Sequence, residues 1–183
     1  MSKIIVPIAE GFEEIEAVCI IDVCRRAGIE VVTAGVETLS VKGANAITIE
    51  TDLLLNDVDS TDIDMIVLPG GGKGTEILAS NKQVQHLLKE FKQKDKLIGA
   101  ICAAPYALHT AGVLNQNYTC YPSFEKKIRI EGYEATKKVV IDGKVITSRG
   151  PGTAICFALE IVKTLCGEKT YEGIKQGVLA SYC

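Results

Sequence analysis

Short apolar runs alternate along the chain with amphipathic stretches, and their order predicts an α/β fold. Lys3 to Ala9 (KIIVPIA), Ile29 to Val36 and Met65 to Leu68 read as buried strands, because brief apolar runs bounded by turn residues suit strands covered on both faces. Pro7 is unusual inside a central strand and is expected at a bulge or late in the pairing. After the turn Glu10–Glu13 a helix is predicted to about Ala27, with acids early, Arg25 and Arg26 late, and Gly28 at C′. Strand, helix and strand in this order make a βαβ unit. Thr38 to Glu50 alternates weakly about Gly43-Ala44-Asn45 and reads as a hairpin. A helix from about Lys82 to Lys94 places Val84, Leu87, Leu88 and Phe91 on one face. Lys96 to Ile101 is a further buried strand, and the helix after it ends near Gly112. Thr119 to Pro122 is a short strand or connector, and Val139–Thr147 is a hairpin turning at Asp142-Gly143. Ser148 to Gly152 breaks the chain before an apolar helix to about Cys166 and a last helix, Thr170 to Val178. With no repeat or linker, residues 1–183 read as one domain. It is an α/β sandwich around a mostly parallel sheet, with sites at the carboxyl ends of strands.

Composition narrows the function classes. Twenty basic and 23 acidic residues are well mixed, for a net charge of −3, which argues against nucleic-acid partners or a basic membrane tail. No run approaches the roughly 18 apolar residues of a membrane span, and the N-terminus enters a strand without a signal-peptide layout. The seven cysteines show no CxxC or Cys/His metal spacing. They read as reduced thiols in a cytoplasmic protein, with no metal. The two histidines, His86 and His109, limit the available chemistry.

The segment Ile98–Pro105 carries the strongest chemical signal. Cys102 follows a buried strand, is flanked two residues away on each side by Ala100 and Ala104, and precedes Pro105 at a helix start. Small–x–nucleophile–x–small between strand and helix is the pattern of a nucleophile elbow, which predicts a positive φ at Cys102. The helix N-terminus behind it is expected to favour thiolate over thiol. The alternative is a buried structural cysteine. Glu16 falls on one helical stripe with Cys19, Ile20, Val23 and Ala27, whereas Glu13 and Glu14 are expected to reach water. A carboxyl on an apolar stripe is either a frayed first-turn residue or a desolvated group that keeps its proton near neutrality. Gly70-Gly71-Gly72 is a flexible turn, or a place where backbone N–H groups approach a substrate oxygen closely. It lacks the Walker and GxGxxG patterns. His86 reads as a surface residue, and His109 lies about two turns past Cys102, too far to act as its base.

These motifs together resemble the DJ-one branch of the ThiJ/PfpI superfamily. The resemblance is carried by Gly11–Glu16, Asp22–Ile29, Leu68–Gly71, Ala100–Pro105 and Thr147–Thr153. It implies a flavodoxin-like sandwich with helices on both faces, and a homodimer. It assigns Cys102 as nucleophile, Glu16 as the protonated carboxyl bonded to its sulfur, and Gly71 and Ala103 as donors of an oxyanion pocket. Arg149 matches a basic residue near the pocket and dimer interface. The exposed apolar positions Ile15, Val18 and Ile21 beside the Glu16 stripe also suit a dimer contact. Two departures bear on function. Tyr121 stands where many relatives carry a histidine in Thr-x-His-Pro, and a phenol is a poor base at pH 7. Ala103 replaces the histidine that follows the nucleophile in the protease branch, which argues against peptidase activity. The hairpin region, around Glu50, lacks the additional cysteine of some relatives.

The resemblance implies a cofactor-free enzyme acting on small dicarbonyls such as methylglyoxal: a glutathione-independent glyoxalase of the glyoxalase III-type lyase class, or a protein deglycase. The alternative is an oxidative-stress redox sensor or chaperone that uses an oxidisable Cys102. A glutaminase-type amidotransferase would need a downstream His–Glu pair, which the sequence lacks.

Overall fold

A computed structural model describes residues 2–183. In chain order the elements are β1 (Lys3–Ile8), α1 (Glu14–Arg26), β2 (Glu30–Gly35), β3 (Ser40–Lys42), β4 (Thr48–Glu50), β5 (Leu53–Leu54) and β6 (Met65–Leu68). Then follow α2 (Gly72–Ser80), α3 (Lys82–Gln93), β7 (Leu97–Ile101), α4 (Pro105–Thr110), α5 (Glu125–Ile128), β8 (Val139–Asp142), β9 (Val145–Ser148), α6 (Ala154–Cys166) and α7 (Glu168–Gly177). Seven strands form one sheet in the order β5-β2-β1-β6-β7-β9-β8. Every neighbouring pair is parallel except β8 and β9, the hairpin at one edge. β3 and β4 pair antiparallel as a separate hairpin.

The period of two along β1 divides the core. Ile4, Val6 and Ile8 face a cluster with Ala17, Ile20 and Val23 of α1 and Ala154, Phe157 and Ala158 of α6. Ile5 faces the opposite cluster, with Leu78 of α2, Leu87, Leu88 and Phe91 of α3, and Ala107 and Leu108 of α4. Helices therefore cover both faces of the sheet, as the near-continuous apolar strands require. Pro7 sits in regular register opposite Ala34, with no bulge. The β1–β6 register covers only Ile4 and Ile5, so the proline lies late in the pairing, where its missing N–H is tolerated.

The structure departs from the sequence reading in four places. α2 begins on the last glycine of the Gly70–Gly72 turn and fills residues 73–80, to which the sequence reading gives no element, because packing of Thr75 and Leu78 outweighs two helical glycines. α5 is a single turn with no counterpart in the sequence reading, while Thr119–Pro122 is the connector rather than the strand of the two alternatives, and Tyr118 bridges Tyr133. Glu14 is buried rather than solvated: its carboxylate accepts hydrogen bonds from the Asn45 and Ile47 backbone and from the Asn45 side chain, tying α1 to the β3–β4 hairpin. Nor are all the cysteines reduced. Cys156 and Cys183 are disulfide-bonded, while the thiols of Cys19, Cys24, Cys102, Cys120 and Cys166 are free. After α7 the chain turns at Leu179 and buries Ala180 in the α1/α6 core, which carries Cys183 back onto α6. No helix among the described residues is long and apolar enough to cross a membrane.

Candidate active site

Three strand ends converge at the carboxyl edge of the sheet. β7 ends at Ile101, and Cys102 follows with φ of 64°, a left-handed conformation that costs on the order of 1–3 kcal/mol for a non-glycine residue. Two hydrogen bonds hold it there: the Cys102 N–H donates to the Ser148 carbonyl at 2.9 Å, and its own carbonyl accepts the Tyr121 N–H at 2.8 Å. The elbow geometry expected from the small-residue pattern is therefore present. Ala103 and Ala104 are buried behind the turn, and Pro105 opens α4 at its first position.

The turn after β6 supplies the second wall. Gly70 is confined on two sides: a Cβ there would lie 2.6 Å from Cys102 Cβ and 2.7 Å from Glu16 Oε2. Those distances set the cysteine and the carboxyl side by side against the same backbone position. Gly71 has φ of 95°, and a Cβ on it would meet the Gly11 carbonyl at 2.3 Å, so only glycine fits. The N–H groups of Gly71 and Ala103 both bear on the Cys102 sulfur.

Glu16 comes from the first turn of α1 and is fully buried. Its Oε2 accepts the Gly70 N–H at 2.8 Å, while Oε1 is buried without a partner. Burial pushes its pKa from 4.5 up to about 7, against the opposing pull of the Gly70 N–H and the Cys102 thiol. Cys102 is itself 8% exposed. Burial and the neighbouring Glu16 charge push its thiol up, and the N–H groups of Gly71 and Ala103 pull it down by less. Burial and the Glu16 charge thus oppose the thiolate expected from the N-terminus of α4, a helix of only six residues. The two groups are coupled, so the state of one sets the charge felt by the other. When Glu16 holds the proton, the charge opposing the thiolate disappears.

The remaining sequence candidates line a cleft of about 260 Å³ formed by Tyr121, Pro122 and residues 149–153. A Cβ on Gly150 would stand 4.0 Å from Cys102 Sγ and 3.2 Å from the Tyr121 ring, so Gly150 is the wall between cleft and sulfur. The Tyr121 ring is half exposed, and the partly buried Arg149 has an Nε without a hydrogen-bond partner. Both histidines are on the surface. A larger groove of about 630 Å³ between α7 and residues 179–181 shares no residue with this site. Among the described residues, no group of three or more His, Cys, Asp and Glu side chains is placed to hold a metal.

Comparison with known proteins places this arrangement. A family model described as DJ-1/PfpI matches residues 2–164. The chain belongs to the DJ-1/PfpI family. Protein dj-1beta of Drosophila melanogaster is 40% identical over the full length of both chains. Its crystal structure superposes with a TM-score of 0.94 over 98% of each. A Caenorhabditis elegans protein named glutathione-independent glyoxalase DJR-1.2 is 42% identical over 93% of this chain and 92% of its own. A structure described as Toxoplasma gondii DJ-1, oxidized, has 36% identity and a TM-score of 0.94, with 98% of each chain covered. The chain spans less than half the length of two Arabidopsis thaliana relatives, DJ-1 homologs A and B. The mostly parallel sheet with helices on both faces is the flavodoxin-like fold of these neighbours.

Proposed function

We propose that this protein is a cysteine-dependent, cofactor-free enzyme acting on small dicarbonyls, with glutathione-independent glyoxalase chemistry. The observation that carries the reading is the Cys102–Glu16 pair: a strained cysteine beside a buried carboxyl whose pKa is about 7. A group poised near neutrality is suited to both take and give a proton. The name of the C. elegans relative supports the same chemistry, and a cleft of about 260 Å³ suits a small substrate.

In the mechanism, Glu16 holds its proton while the Cys102 thiolate attacks the aldehyde carbon, forming a C–S bond and a hemithioacetal oxyanion. The N–H groups of Gly71 and Ala103 stabilise first the thiolate and then the adjacent oxyanion. Glu16 gives its proton to that oxyanion and becomes a carboxylate; it then removes the proton from the former aldehyde carbon and returns it to the neighbouring carbon, while the hydroxyl proton passes to the neighbouring oxygen, giving a thioester of the hydroxy acid. Water cleaves that thioester, releasing the hydroxy acid and restoring the thiol. Tyr121 and Arg149 flank the substrate, the phenol as a hydrogen-bond donor and the guanidinium as a positive charge. Release of methylglyoxal adducts from proteins would use the same attack. The protein works as a cytoplasmic homodimer, whose contact is the exposed face of α1 with Ile15 and Val18. The Cys156–Cys183 disulfide takes away the reduced-thiol support for the cytoplasm.

The test measures lactate formed from methylglyoxal by the purified protein, with Cys102→Ala as control. Turnover by the wild type alone is expected; a wild type as inactive as the variant overturns the reading. The second reading, a redox sensor, draws on the Glu16 carboxyl beside the sulfur, whose O–H would bond a sulfinate. It gains if an inactive wild type still takes up oxygen at Cys102 under peroxide, measured by mass spectrometry.

A further inference from the structure

A second sulfur centre is built into the other side of the cleft loop. α6 starts directly after residues 149–153, and Cys156 lies in its first turn, 7% exposed. Cys183 is the more accessible half of the bond, with the two Cα atoms 5.1 Å apart. The segment that carries it is anchored at further points. Ala180 is fully buried, Lys138 Nζ donates to the Tyr182 carbonyl, and the same ammonium stands 5.7 Å from the Tyr182 ring centre. The Lys138 carbonyl accepts from Ser148 Oγ at 2.7 Å, and Ser148 Oγ pairs with Thr153 Oγ1 at 2.7 Å. Thr153 Oγ1 in turn accepts the Gly150 N–H at 3.1 Å. Gly150 is the cleft wall nearest the Cys102 sulfur. Residues 178–183 therefore grip the cleft loop at both ends, through Cys156 on one side and through Lys138, Ser148 and Thr153 on the other.

We propose that Cys156–Cys183 is a thiol–disulfide exchange site, reacting with dithiols and their disulfides, and that its state sets the reactivity of the Cys102 cleft. Exposed disulfides are the labile and regulatory ones, and in this bond the partly buried Cys183 is the half open to attack. Opening begins when a reductant thiolate attacks Cys183 Sγ. The S–S bond breaks, a mixed disulfide forms, and Cys156 leaves as a thiolate that takes up a proton. The reductant's second thiolate then displaces Cys183 and closes the reductant's own disulfide, so two electrons pass to the protein. Closing runs through the same steps in reverse, with an external disulfide as the oxidant. Once open, residues 178–183 lose the covalent half of their grip, while α6 and α7 remain held by their own apolar contacts in the core.

The experiment equilibrates the full chain in buffers of reduced and oxidised dithiothreitol. Peptide mass spectrometry reads the Cys156–Cys183 linkage, amide exchange reads residues 149–153 and 178–183, and iodoacetamide reads the alkylation rate of Cys102. None of these depends on dicarbonyl turnover, so failure here is separate from failure of the proposed activity. The linkage is expected in the oxidised buffer, and opening it should speed exchange in both segments. Cys102 alkylation should change by about fivefold or more, the lower end of coupling between two sites. Cys183→Ser should match the reduced wild type in either buffer, and Cys166→Ser should keep the switch. Absence of the linkage in oxidised buffer, or one Cys102 rate for open and closed forms, would overturn the proposal.

Discussion

A fully buried carboxyl with a thiol as neighbour has two ways to place a single proton, and the chemistry of Glu16 follows from that choice. Glu16→Gln keeps a hydrogen-bond donor and loses the transferable proton. It is expected to react with peroxide at Cys102 while losing roughly 10²-fold or more of dicarbonyl turnover, the size of a general acid–base contribution. Peroxide titration by mass spectrometry beside a lactate assay checks both halves; wild-type turnover in the variant would remove Glu16 from the mechanism. Glu16 also ties stability to pH. Its folded pKa of about 7 lies above the ordinary 4.5, so between those values the native state binds a proton that the unfolded chain releases. Stability therefore falls as pH rises through that window, by roughly 3 kcal/mol for this one group. Urea midpoints at pH 5 and pH 8 should separate more for the wild type than for Glu16→Gln. Glu16 was legible in the sequence because a carboxyl interrupts an apolar stripe at spacings of three and four. Glu14 was not, because its partner Asn45 lies on a hairpin whose position no local pattern encodes.

At the level of elements, the strands and long helices follow from apolar period alone, and the elbow from the size of two flanking alanines. α2 does not, since a helix begun by Gly72 and Gly74 is made by burial of Thr75 and Leu78 rather than by propensity. The disulfide was equally hidden: a separation of 27 residues matches no motif, and the pairing depends on the turn after α7. Closing a loop of that length is worth about 3–4 kcal/mol in the chain-entropy description. Cys183→Ser should lower the thermal midpoint relative to the oxidised wild type, and the two should melt together in reductant; scanning calorimetry in both buffers decides this. The β6–α2 turn gives a sharper case. Gly70→Ala would place a methyl within 3 Å of both Cys102 and Glu16, and overpacking of this kind costs typically 1–3 kcal/mol. The variant is expected to fold with reduced stability and to lose Cys102 alkylation, which urea unfolding and iodoacetamide labelling measure.

For the molecule as a whole, α1 connects the site to the surface. One face buries Glu16 and Ile20 against the sheet, and the other leaves Ile15 and Val18 about half exposed. If that outer face meets a second copy, Val18→Glu should convert a dimer to a monomer in light scattering at micromolar concentration while leaving the fold intact. A monomeric wild type would count against the interface. The elbow has a consequence in time as well as in space. The left-handed turn at Cys102 is held in part by the Ser148 carbonyl, and the pairing of β9 with β7 delivers that carbonyl from much later in the chain. A nascent polypeptide on the ribosome thus exposes the cysteine well before it can strain it. The strained geometry of the thiol is therefore expected to be completed only when the last strands dock, so its alkylation rate should change late in folding.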